Sequence, residues 1–432
     1  MTSIQLNANS PLANWLAAIE ACHPAEIELG LDRMRQVAQR LPINLDQSIK
    51  VIVGGTNGKG TSVKLLETIL LEAGYTVGTY TSPHFIRYNE RVSLSGEPVE
   101  DAQLCQAFAQ IEAHRQDVTL TYFEYGTLAA LIIFAQTKPD VLLLEVGLGG
   151  RLDSVNLVDA DIALISTIAL DHTEWLGPDR ESIGFEKAGI FRARSPAVCG
   201  DPDAPKSLIG HAQSINAPLF RNGIDYQYER LSDDTWSWEG KNGSGEKVCF
   251  ADLPLPRLPL QNAAAVLQVL QLMPVNVSRE QLGLGLSKAQ LTGRMQAASH
   301  AGFPCVLDVA HNPESAAYLA HALSTQPSRT THLVLGMLAD KDMFEVCQHL
   351  LPIVDYWHLV TLDTPRSATA AQLRGILNTL GVSSSSVAEY PHVRAALSAL
   401  PDLMESDSRV VIAGSFYTVT DALQIVESVN GK

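Results

Sequence analysis

The sequence has no apolar stretch long enough to cross a membrane and few of the basic residues that attract nucleic acids. Its longest strongly apolar segment, near Tyr125–Ala135, is too short for a bilayer and is typical of a buried helix. Lys and Arg number 31 against 47 Asp and Glu, which gives a net charge of −16. This excess of negative charge argues against a nucleic acid or an anionic membrane as the main partner, while local anion sites remain open.

The sequence also lacks the cysteine pairs of zinc and dithiol sites. Its six cysteines include no CxxC motif, and the segment MTSIQLNANSPLANW has neither the basic start nor the apolar core of a signal peptide. These features predict reduced thiols and a cytoplasmic location. With 432 residues, 46% of them hydrophobic, the chain is long enough for two or three domains with substantial cores.

Apolar runs typical of buried strands alternate with helix-like segments, in one series before residue 295 and a second after it. In the first series we expect strands over Lys50–Gly55, Thr76–Tyr80, Asp140–Val146 and Asp161–Ile168, and helices over Lys59–Ala73, Asp101–Ala113 and Glu124–Gln136. In the second we expect strands over Pro304–Val309, Thr331–Gly336, Asp355–Val360 and Arg409–Gly414, and a helix over Glu314–Ser324. Residues 221–252 differ, because their alternation predicts a small antiparallel segment, after which a helix begins near Gln261.

This pattern predicts an α/β protein of two domains. We expect residues 1–294 to form a P-loop-type, mostly parallel sheet with helices on both faces. We expect residues 295–432 to form a smaller, Rossmann-like α/β domain.

A glycine-rich loop, GGTNGKGT, lies between the first strong strand and its helix. Glycines let the backbone turn its N–H groups inward, the helix N-terminus adds a positive dipole, and Lys59 adds a full charge, so the loop favours a polyphosphate. The GxxxxGK[ST] pattern is not met, because Val53 replaces its first glycine and Gly60 follows the lysine, which places the hydroxyl of Thr61 one position late. The alternative is an ordinary glycine-rich turn.

Polar side chains follow further predicted strands, at the edge of the sheet where the glycine-rich loop lies. Ser82 and Glu145 offer the oxygen ligands that Mg²⁺ prefers, whereas His172 is a less typical ligand for that ion. Taken alone, Glu145 could cap a helix and His172 could be a hydrogen-bonded structural histidine. The nearby Gly147–Gly150 lacks GxGxxG spacing, which argues against a nicotinamide dinucleotide.

Longer strings of residues resemble one known family. GTNGKGT is similar to the ATP loop of the Mur ligase superfamily of ATP-dependent amide-forming ligases. The strings YTSPHFIRYNERV, TYFEYGTLAAL, LLLEVGLGGRLDSVN, IALDHTEWLGPDRESIGFEKAGIF, DVAHNPESA and GSFYTV resemble the bacterial bifunctional dihydrofolate synthases/folylpolyglutamate synthases. The similarity runs from about residue 11 to the C-terminus and implies an ATP-binding domain with a pterin site, followed by a glutamate-ligase domain.

The resemblance also implies roles for individual residues. ATP would be bound by Asn57, Gly58, Lys59, Gly60 and Thr61, with Asn262 at the base, Arg294 at the phosphates and Asp308 at the ribose. Two Mg²⁺ sites are implied, with Ser82, Glu145 and His172 as ligands. Lys59, His172 and Lys187 would be catalytic, and Lys187 would be carbamylated by CO₂, although a lone helical lysine is usually a surface residue. A monovalent cation is a further option.

The resemblance places the acceptor substrate on three segments. These are Glu28-Leu29-Gly30-Leu31-Asp32-Arg33, in which Glu28 to Leu31 are the expected contact residues, Thr121-Tyr122-Phe123-Glu124 and Asp153-Ser154-Val155. Tyr122 and Phe123 could stack on a pterin, or they could be core aromatics at a helix start. His311 and Ser415 are candidates for contacting the incoming glutamate, with helix capping as the alternative.

The implied activity joins a carboxylate to the amino group of L-glutamate through an acyl phosphate. Dihydropteroate and reduced folates would be the acceptors, and the protein would act as a monomer without nucleic acid or membrane. A mono-functional folylpolyglutamate synthase and a regulatory nucleotide-binding switch are the alternatives. A cell-wall Mur ligase is disfavoured, because only about 50 residues precede the loop.

Overall fold

The computed structural model describes residues 5–25, 27–327 and 329–428. The chain divides into two compact units, Met1–Ala289 and Gln290–Lys432. The sequence-predicted domains meet after residue 294, and their ends, residues 1–4 and 429–432, lie outside the described residues. In the described part of the chain, every helix is too short or too polar to span a membrane.

The first unit contains ten α-helices and eleven strands among its described residues. The helices are α1 (Leu12–Glu20), α2 (Asp32–Ala38), α3 (Lys59–Glu72), α4 (Asp101–Arg115), α5 (Tyr122–Thr137), α6 (Thr173–Leu176), α7 (Arg180–Ala188), α8 (Lys206–Ser214), α9 (Leu260–Leu272) and α10 (Arg279–Lys288). The strands are β1 (Ile49–Gly54), β2 (Val77–Tyr80), β3 (Val92–Leu94), β4 (Glu97–Pro98), β5 (Val141–Glu145), β6 (Ile162–Ile165), β7 (Ala197–Cys199), β8 (Leu219–Arg221), β9 (Gln227–Arg230), β10 (Thr235–Lys241) and β11 (Lys247–Pro254).

The first eight strands form one sheet in the order β4-β3-β2-β5-β1-β6-β7-β8. Pairing is parallel from β2 to β8 and antiparallel at the β3 and β4 edge, so the predicted mostly parallel sheet is confirmed. Ile52 and Leu142 belong to the core shared with α4 and α5. Val51 and Leu143 alternate with them and are also fully buried, as expected for strands covered on both faces.

The predicted antiparallel segment is confirmed as a separate sheet in the order β11-β10-β9. Trp236 and Trp238 project from β10 and are buried. Trp238 Nε1 donates to the carbonyl of Ala264 in α9 at 3.0 Å. This hydrogen bond fixes the small sheet to the helix that carries Asn262.

The second unit contains five α-helices and seven strands in its described portion. The helices are α11 (Pro313–Ser324), α12 (Met343–Leu350), α13 (Ala370–Thr379), α14 (Val393–Ala399) and α15 (Phe416–Leu423). The strands are β12 (Gln296–His300), β13 (Phe303–Leu307), β14 (Thr331–Leu335), β15 (Tyr356–Val360), β16 (Val387–Tyr390), β17 (Arg409–Ala413) and β18 (Glu427–Ser428). Their order is β16-β15-β14-β17-β13-β12-β18, with parallel pairing from β16 to β13, which confirms the predicted second α/β domain.

Candidate functional site

The glycine-rich loop joins β1, near the centre of the sheet, to the first turn of α3. Gly58 precedes the helix with φ of +81°, a left-handed conformation that glycine adopts without strain. Gly55 has φ of +140°, and a Cβ there would lie 1.9 Å from the Ser166 hydroxyl oxygen. A Cβ on Gly58 would likewise lie 2.3 Å from Asn262 Nδ2, so both positions need glycine for backbone conformation and for space.

Two lysine ammonium groups converge on this loop. Lys59 Nζ donates to the carbonyls of Gly55 at 3.0 Å and Thr56 at 3.1 Å. Lys187, buried in α7, donates its Nζ to the same Gly55 carbonyl at 3.0 Å. The structure thus brings together two predicted catalytic lysines that are far apart in sequence.

Asn262 forms one wall of the loop. Its Nδ2 donates to the Gly58 carbonyl at 3.2 Å and to the Ser62 hydroxyl at 3.1 Å. The side chain predicted to contact the ATP base is therefore in direct contact with the glycine-rich loop, Gly54–Thr61 (the phosphate loop).

The loop that follows β6 also borders the glycine-rich loop, which the sequence analysis missed. Ser166 Oγ donates to the Asn57 carbonyl at 2.5 Å, and Thr167 Oγ1 accepts from the Asn57 N–H at 3.1 Å. A serine and a threonine directly after a buried strand were the available signal. Gly60 and Thr61 lie in the first turn of α3, where Thr61 is buried.

Glu145 lies beside the loop, because β5 pairs with β1 and Glu145 is in register with Val53. It is buried, and its Oε2 accepts from the Ser82 N–H at 3.1 Å, so two of the three predicted metal ligands are neighbours. His172 follows the strand on the other side of β1; its side chain is 41% exposed and its Nε2 lies 3.9 Å from Asp171 Oδ2.

The donor set at Glu145 and Ser82 suits a hard divalent cation. A carboxylate and a hydroxyl are oxygen ligands, which Mg²⁺ prefers. In the described part of the chain, no group of three or more His, Cys, Asp or Glu side chains is arranged to hold a metal ion. Phosphate oxygens and water would therefore have to complete the coordination shell of an ion held at Glu145.

Asp153 belongs to the third predicted acceptor segment and lies within electrostatic reach of Lys59 in the glycine-rich loop. Its carboxylate accepts from the N–H groups of Leu148 at 2.8 Å and Val155 at 2.9 Å, which holds the Gly147–Gly150 loop. Burial raises the pKa of Asp153 to about 6, although these hydrogen bonds and the nearby Lys59 charge act in the opposite direction.

The three segments predicted to bind a pterin come together. The Gly30 N–H donates to the Leu152 carbonyl at 3.2 Å, which joins the first segment to the loop that precedes Asp153. Arg33 Nη2 donates to Glu124 Oε1 at 3.0 Å and to the Glu28 carbonyl at 3.1 Å, which joins the first segment to the second. Arg33 lies in the motif noted in the sequence, but its bridging role was missed.

The second segment begins a helix and presents two aromatic rings. Thr121 Oγ1 accepts from the Glu124 N–H at 3.2 Å and Glu124 Oε2 accepts from the Thr121 N–H at 2.7 Å, a capping box that starts α5. The Tyr122 ring is 5.7 Å from the Arg91 guanidinium. A Cβ on Gly147 would lie 2.5 Å from the Phe123 ring, so this ring borders the Gly147–Gly150 loop.

In the second unit, four predicted site residues lie beside strand ends. Arg294 precedes β12, Asp308 and His311 follow β13, and Ser415 follows β17. Asp308 is buried and accepts from the N–H groups of Met295 at 2.8 Å and Ala310 at 2.9 Å. Burial raises the pKa of Asp308, and the nearby Arg294 charge opposes that rise. The Arg294 guanidinium lies 5.2 Å from the centre of the Phe416 ring.

His311 and Ser415 both take part in local hydrogen bonds. His311 Nδ1 is 2.8 Å from the Val309 carbonyl, and its ring centre lies 6.5 Å from that of Phe416. Ser415 Oγ accepts from the Thr418 N–H at 3.0 Å and caps α15, so the capping alternative describes one contact of this side chain.

Comparisons with known proteins agree with this arrangement. Residues 53–244 match the Mur ligase middle domain, and residues 293–416 match the Mur ligase glutamate ligase domain. The dihydrofolate synthase/folylpolyglutamate synthase of Escherichia coli (strain K12) is 44% identical over 422 residues, which are 98% of this chain and 97% of that protein.

Two solved structures are similar along almost the whole chain. The E. coli enzyme FolC in complex with DHPP and ADP has a TM-score of 0.91 and 42% identity, covering 97% of this chain and 98% of that one. A bifunctional folylpolyglutamate synthase/dihydrofolate synthase with Mn, AMPPNP and L-glutamate bound has a TM-score of 0.89 and 44% identity, with the same coverage. This identity along both chains and the two matched domains show that the protein belongs to the Mur ligase family, among the bifunctional dihydrofolate synthases/folylpolyglutamate synthases.

Proposed function

We propose that this chain ligates L-glutamate to dihydropteroate and to reduced folates, at the expense of ATP and through an acyl phosphate. The observation that carries the proposal is the position of Asp153. This residue belongs to the third predicted acceptor segment, holds the Gly147–Gly150 loop and lies within electrostatic reach of Lys59 in the phosphate loop. A phosphate donor and a carboxylate acceptor would therefore meet in the first unit. The relatives bound to DHPP and ADP, and to AMPPNP and L-glutamate, support these substrates.

The chemistry follows from the weakness of a carboxylate as an electrophile. An oxygen of the acceptor carboxylate attacks the γ-phosphorus of ATP, the bond from that phosphorus to the bridging oxygen breaks, and ADP leaves. The amino group of glutamate then attacks the acyl carbon and loses a proton. Collapse of the tetrahedral intermediate expels inorganic phosphate and leaves the amide.

The residues of the loop would act mainly by position and charge. The backbone N–H groups after Gly58 and the Lys59 ammonium would stabilise the charge on the transferred phosphoryl group. Glu145 and Ser82, with His172, would hold Mg²⁺, which when bound neutralises phosphate charge. Asn262, through its bonds to Gly58 and Ser62, would hold the loop in its binding shape.

The proposal includes carbamylation of Lys187. Its Nζ and that of Lys59 each lie 3.0 Å from one carbonyl oxygen, so two positive charges are close together in a buried place. Addition of CO₂ to the Lys187 amine would replace one of these cations with a carbamate anion, which would attract the other and offer ligands for a second metal ion. Carbon-13 NMR of protein equilibrated with labelled CO₂ should show one carbamate signal that Lys187→Ala lacks, and its absence from the wild type would refute this part.

The remaining assignments are part of the same proposal. Arg294 and Asp308 would contact the phosphates and ribose of ATP, and His311 and Ser415 would contact glutamate. We also propose that the protein is a cytoplasmic monomer and that it can bind a monovalent cation. The six cysteines form no disulfide in the structure, which suits a reducing compartment.

An oxygen-18 experiment tests the acyl phosphate. Acceptor labelled in its carboxylate should transfer one labelled oxygen to the inorganic phosphate released in each turnover. A mechanism in which the carboxylate is never phosphorylated would leave the phosphate unlabelled. A regulatory switch would bind ATP but give no ADP on addition of acceptor and glutamate.

A further inference from the structure

We propose that Arg33 is a positioning residue that holds the pterin end of the acceptor site in its binding shape. The inference rests on the proposed function and extends it to a side chain outside the predicted contact residues. Arg33 is the second residue of α2, which begins directly after the expected contact residues Glu28 to Leu31. It acts through the carboxylates that it joins.

The guanidinium group of Arg33 joins two acceptor segments at once. Its Nη1 pairs with the carboxylate of Glu28 and its Nη2 bonds to the Glu28 carbonyl, while Nη2 also reaches Glu124 Oε1 at 3.0 Å. Glu28 and Glu124 are far apart in sequence, and Arg33 is the bridge between them. A planar fork with several N–H donors can hold both carboxylates together, whereas a single ammonium group cannot reproduce that geometry.

The bridge is part of a longer hydrogen-bonded chain. His23 Nδ1 lies 2.9 Å from the Thr119 hydroxyl, and His23 Nε2 lies 2.7 Å from Glu28 Oε2. Glu28 therefore engages one carboxylate oxygen with His23 and the other with Arg33. Both carboxylate oxygens of Glu28 therefore hold the segment in place.

The burial of one nitrogen of Arg33 is energetically unfavourable. Its Nε is buried and has no hydrogen-bond partner among the described residues. Glu124, which Arg33 contacts, is itself buried, with 2% of its side chain exposed. A buried donor without a partner disfavours this arrangement, so the ion pairs to Glu28 and Glu124 must hold the side chain in place. Loss of these pairs would release the first acceptor segment from α5.

Steady-state kinetics of Arg33→Ala and Arg33→Lys test the proposal. For both variants we expect the KM for dihydropteroate and for a reduced folate to rise about tenfold or more, with the KM values for ATP and glutamate within about twofold of the wild type. Arg35→Ala is the matched control, because Arg35 lies on the same helix and pairs with the exposed Asp32. We expect no change in any KM for this control.

The possible outcomes separate the inference from the proposed function. An unchanged acceptor KM in both variants, or an equal rise of the KM values for ATP and glutamate, would overturn the role of Arg33 while the function stood. A wild type that turned over neither acceptor would overturn the proposed function instead. Thermal melting identifies a variant that does not fold, and Arg33→Lys, which keeps the charge and most of the volume, then decides the question.

Discussion

At the residue scale, Gly58 carries a conformation and a contact that can be tested separately. Its φ is +81°, and a Cβ there would lie 2.3 Å from Asn262 Nδ2. We expect Gly58→Ala to lower the free energy of unfolding by about 1–2 kcal/mol for the backbone strain alone. We also expect it to lower turnover by about 100-fold or more, because the loop and Asn262 must shift apart.

Gly74 provides the matched control, since it follows the other end of α3. Its φ is +87°, and a Cβ there would meet no atom within 4 Å. Gly74→Ala should therefore show the loss of stability without the loss of turnover. Equal turnover of the two variants, measured as ADP release, would contradict the role given to the loop.

Asp153 predicts a dependence of stability on pH. Its pKa is raised from 3.8 to about 6 in the folded protein, because burial disfavours the charged form. Between these values the folded state binds the proton and the unfolded state does not, so stability falls as pH rises through about 6. The expected loss in the free energy of unfolding is roughly 3 kcal/mol, and it is complete once the pH is above the pKa of the folded state.

Urea denaturation of Asp153→Asn checks this sign. Relative to the wild type, the variant should gain stability as the pH is raised from about 4 to about 7, since it has no charge to bury. A difference between the two proteins that stayed constant over this range would contradict the expectation. Asn keeps only one acceptor oxygen for two N–H groups, so only the change with pH is diagnostic.

The residue scale also shows where sequence reasoning ends. Lys59 was identifiable because it lies in a glycine-rich loop between a strand and a helix, and Glu145 because it ends a buried strand. Arg33 was not identifiable as a bridge, because Glu124 is 91 residues away and only the folded chain brings the pair together. Ser166 was missed for the same reason, as its partner Asn57 is 109 residues away.

At the scale of elements, the strongly patterned segments were predictable and the short polar strands were not. The predicted strand over Lys50–Gly55 corresponds to β1, which begins and ends one residue earlier. The predicted helix over Lys59–Ala73 corresponds to α3, which begins at Lys59 as predicted and ends one residue earlier. By contrast β12, with the sequence QAASH, and β16, with VAEY, were missed. These segments have weak alternation and become strands by pairing with β13 and β15, which a local pattern cannot indicate.

Neighbouring strands of the second unit place two buried histidines together. His332 Nδ1 in β14 lies 3.1 Å from His358 Nε2 in β15, and His358 Nδ1 lies 3.4 Å from the Tyr390 hydroxyl. Burial, with His332 beside it, lowers the pKa of His358 from 6.5 to about 4. Burial also lowers the pKa of His332, against the opposing charges of Asp355 and Glu405.

This histidine pair predicts acid sensitivity of the second unit. The unfolded state binds protons that the folded state does not, so stability is fully present above pH 6.5 and falls as the pH drops towards about 4. We expect His358 to contribute roughly 3 kcal/mol to this loss. His358→Gln should therefore reduce the slope of the free energy of unfolding against pH.

Denaturation across this pH range, followed by tryptophan fluorescence, measures the slope. His349→Gln is the control, because His349 is exposed on α12 and should leave the slope unchanged. Parallel slopes for the wild type and His358→Gln would show that the pair does not govern the acid response.

At the scale of the whole molecule, two α/β units divide the predicted contact residues between them. The phosphate loop, the Glu145 region and the three acceptor segments belong to the first unit, and Arg294, Asp308, His311 and Ser415 belong to the second. The division between Ala289 and Gln290 lies close to residue 293, where the match to the glutamate ligase domain begins. Alternation of strands and helices was enough to anticipate two α/β units, whereas the assignment of substrates depended on the resemblance of long strings to a family.

The central claim is that one protein ligates glutamate to both kinds of acceptor, and ADP release tests it most directly. The protein is supplied with ATP, Mg²⁺ and L-glutamate, and dihydropteroate or a reduced folate is added in turn. Lys59→Ala and the exposed Lys206→Ala serve as test and control variants.

We expect ADP with either acceptor, a loss of about 100-fold or more in Lys59→Ala, and wild-type turnover in Lys206→Ala. Release with the folate alone would leave a mono-functional elongating enzyme and contradict the pterin site formed by residues 28–31, 121–124 and 153–155. Release with neither acceptor would contradict the ligase account and favour a nucleotide-binding switch.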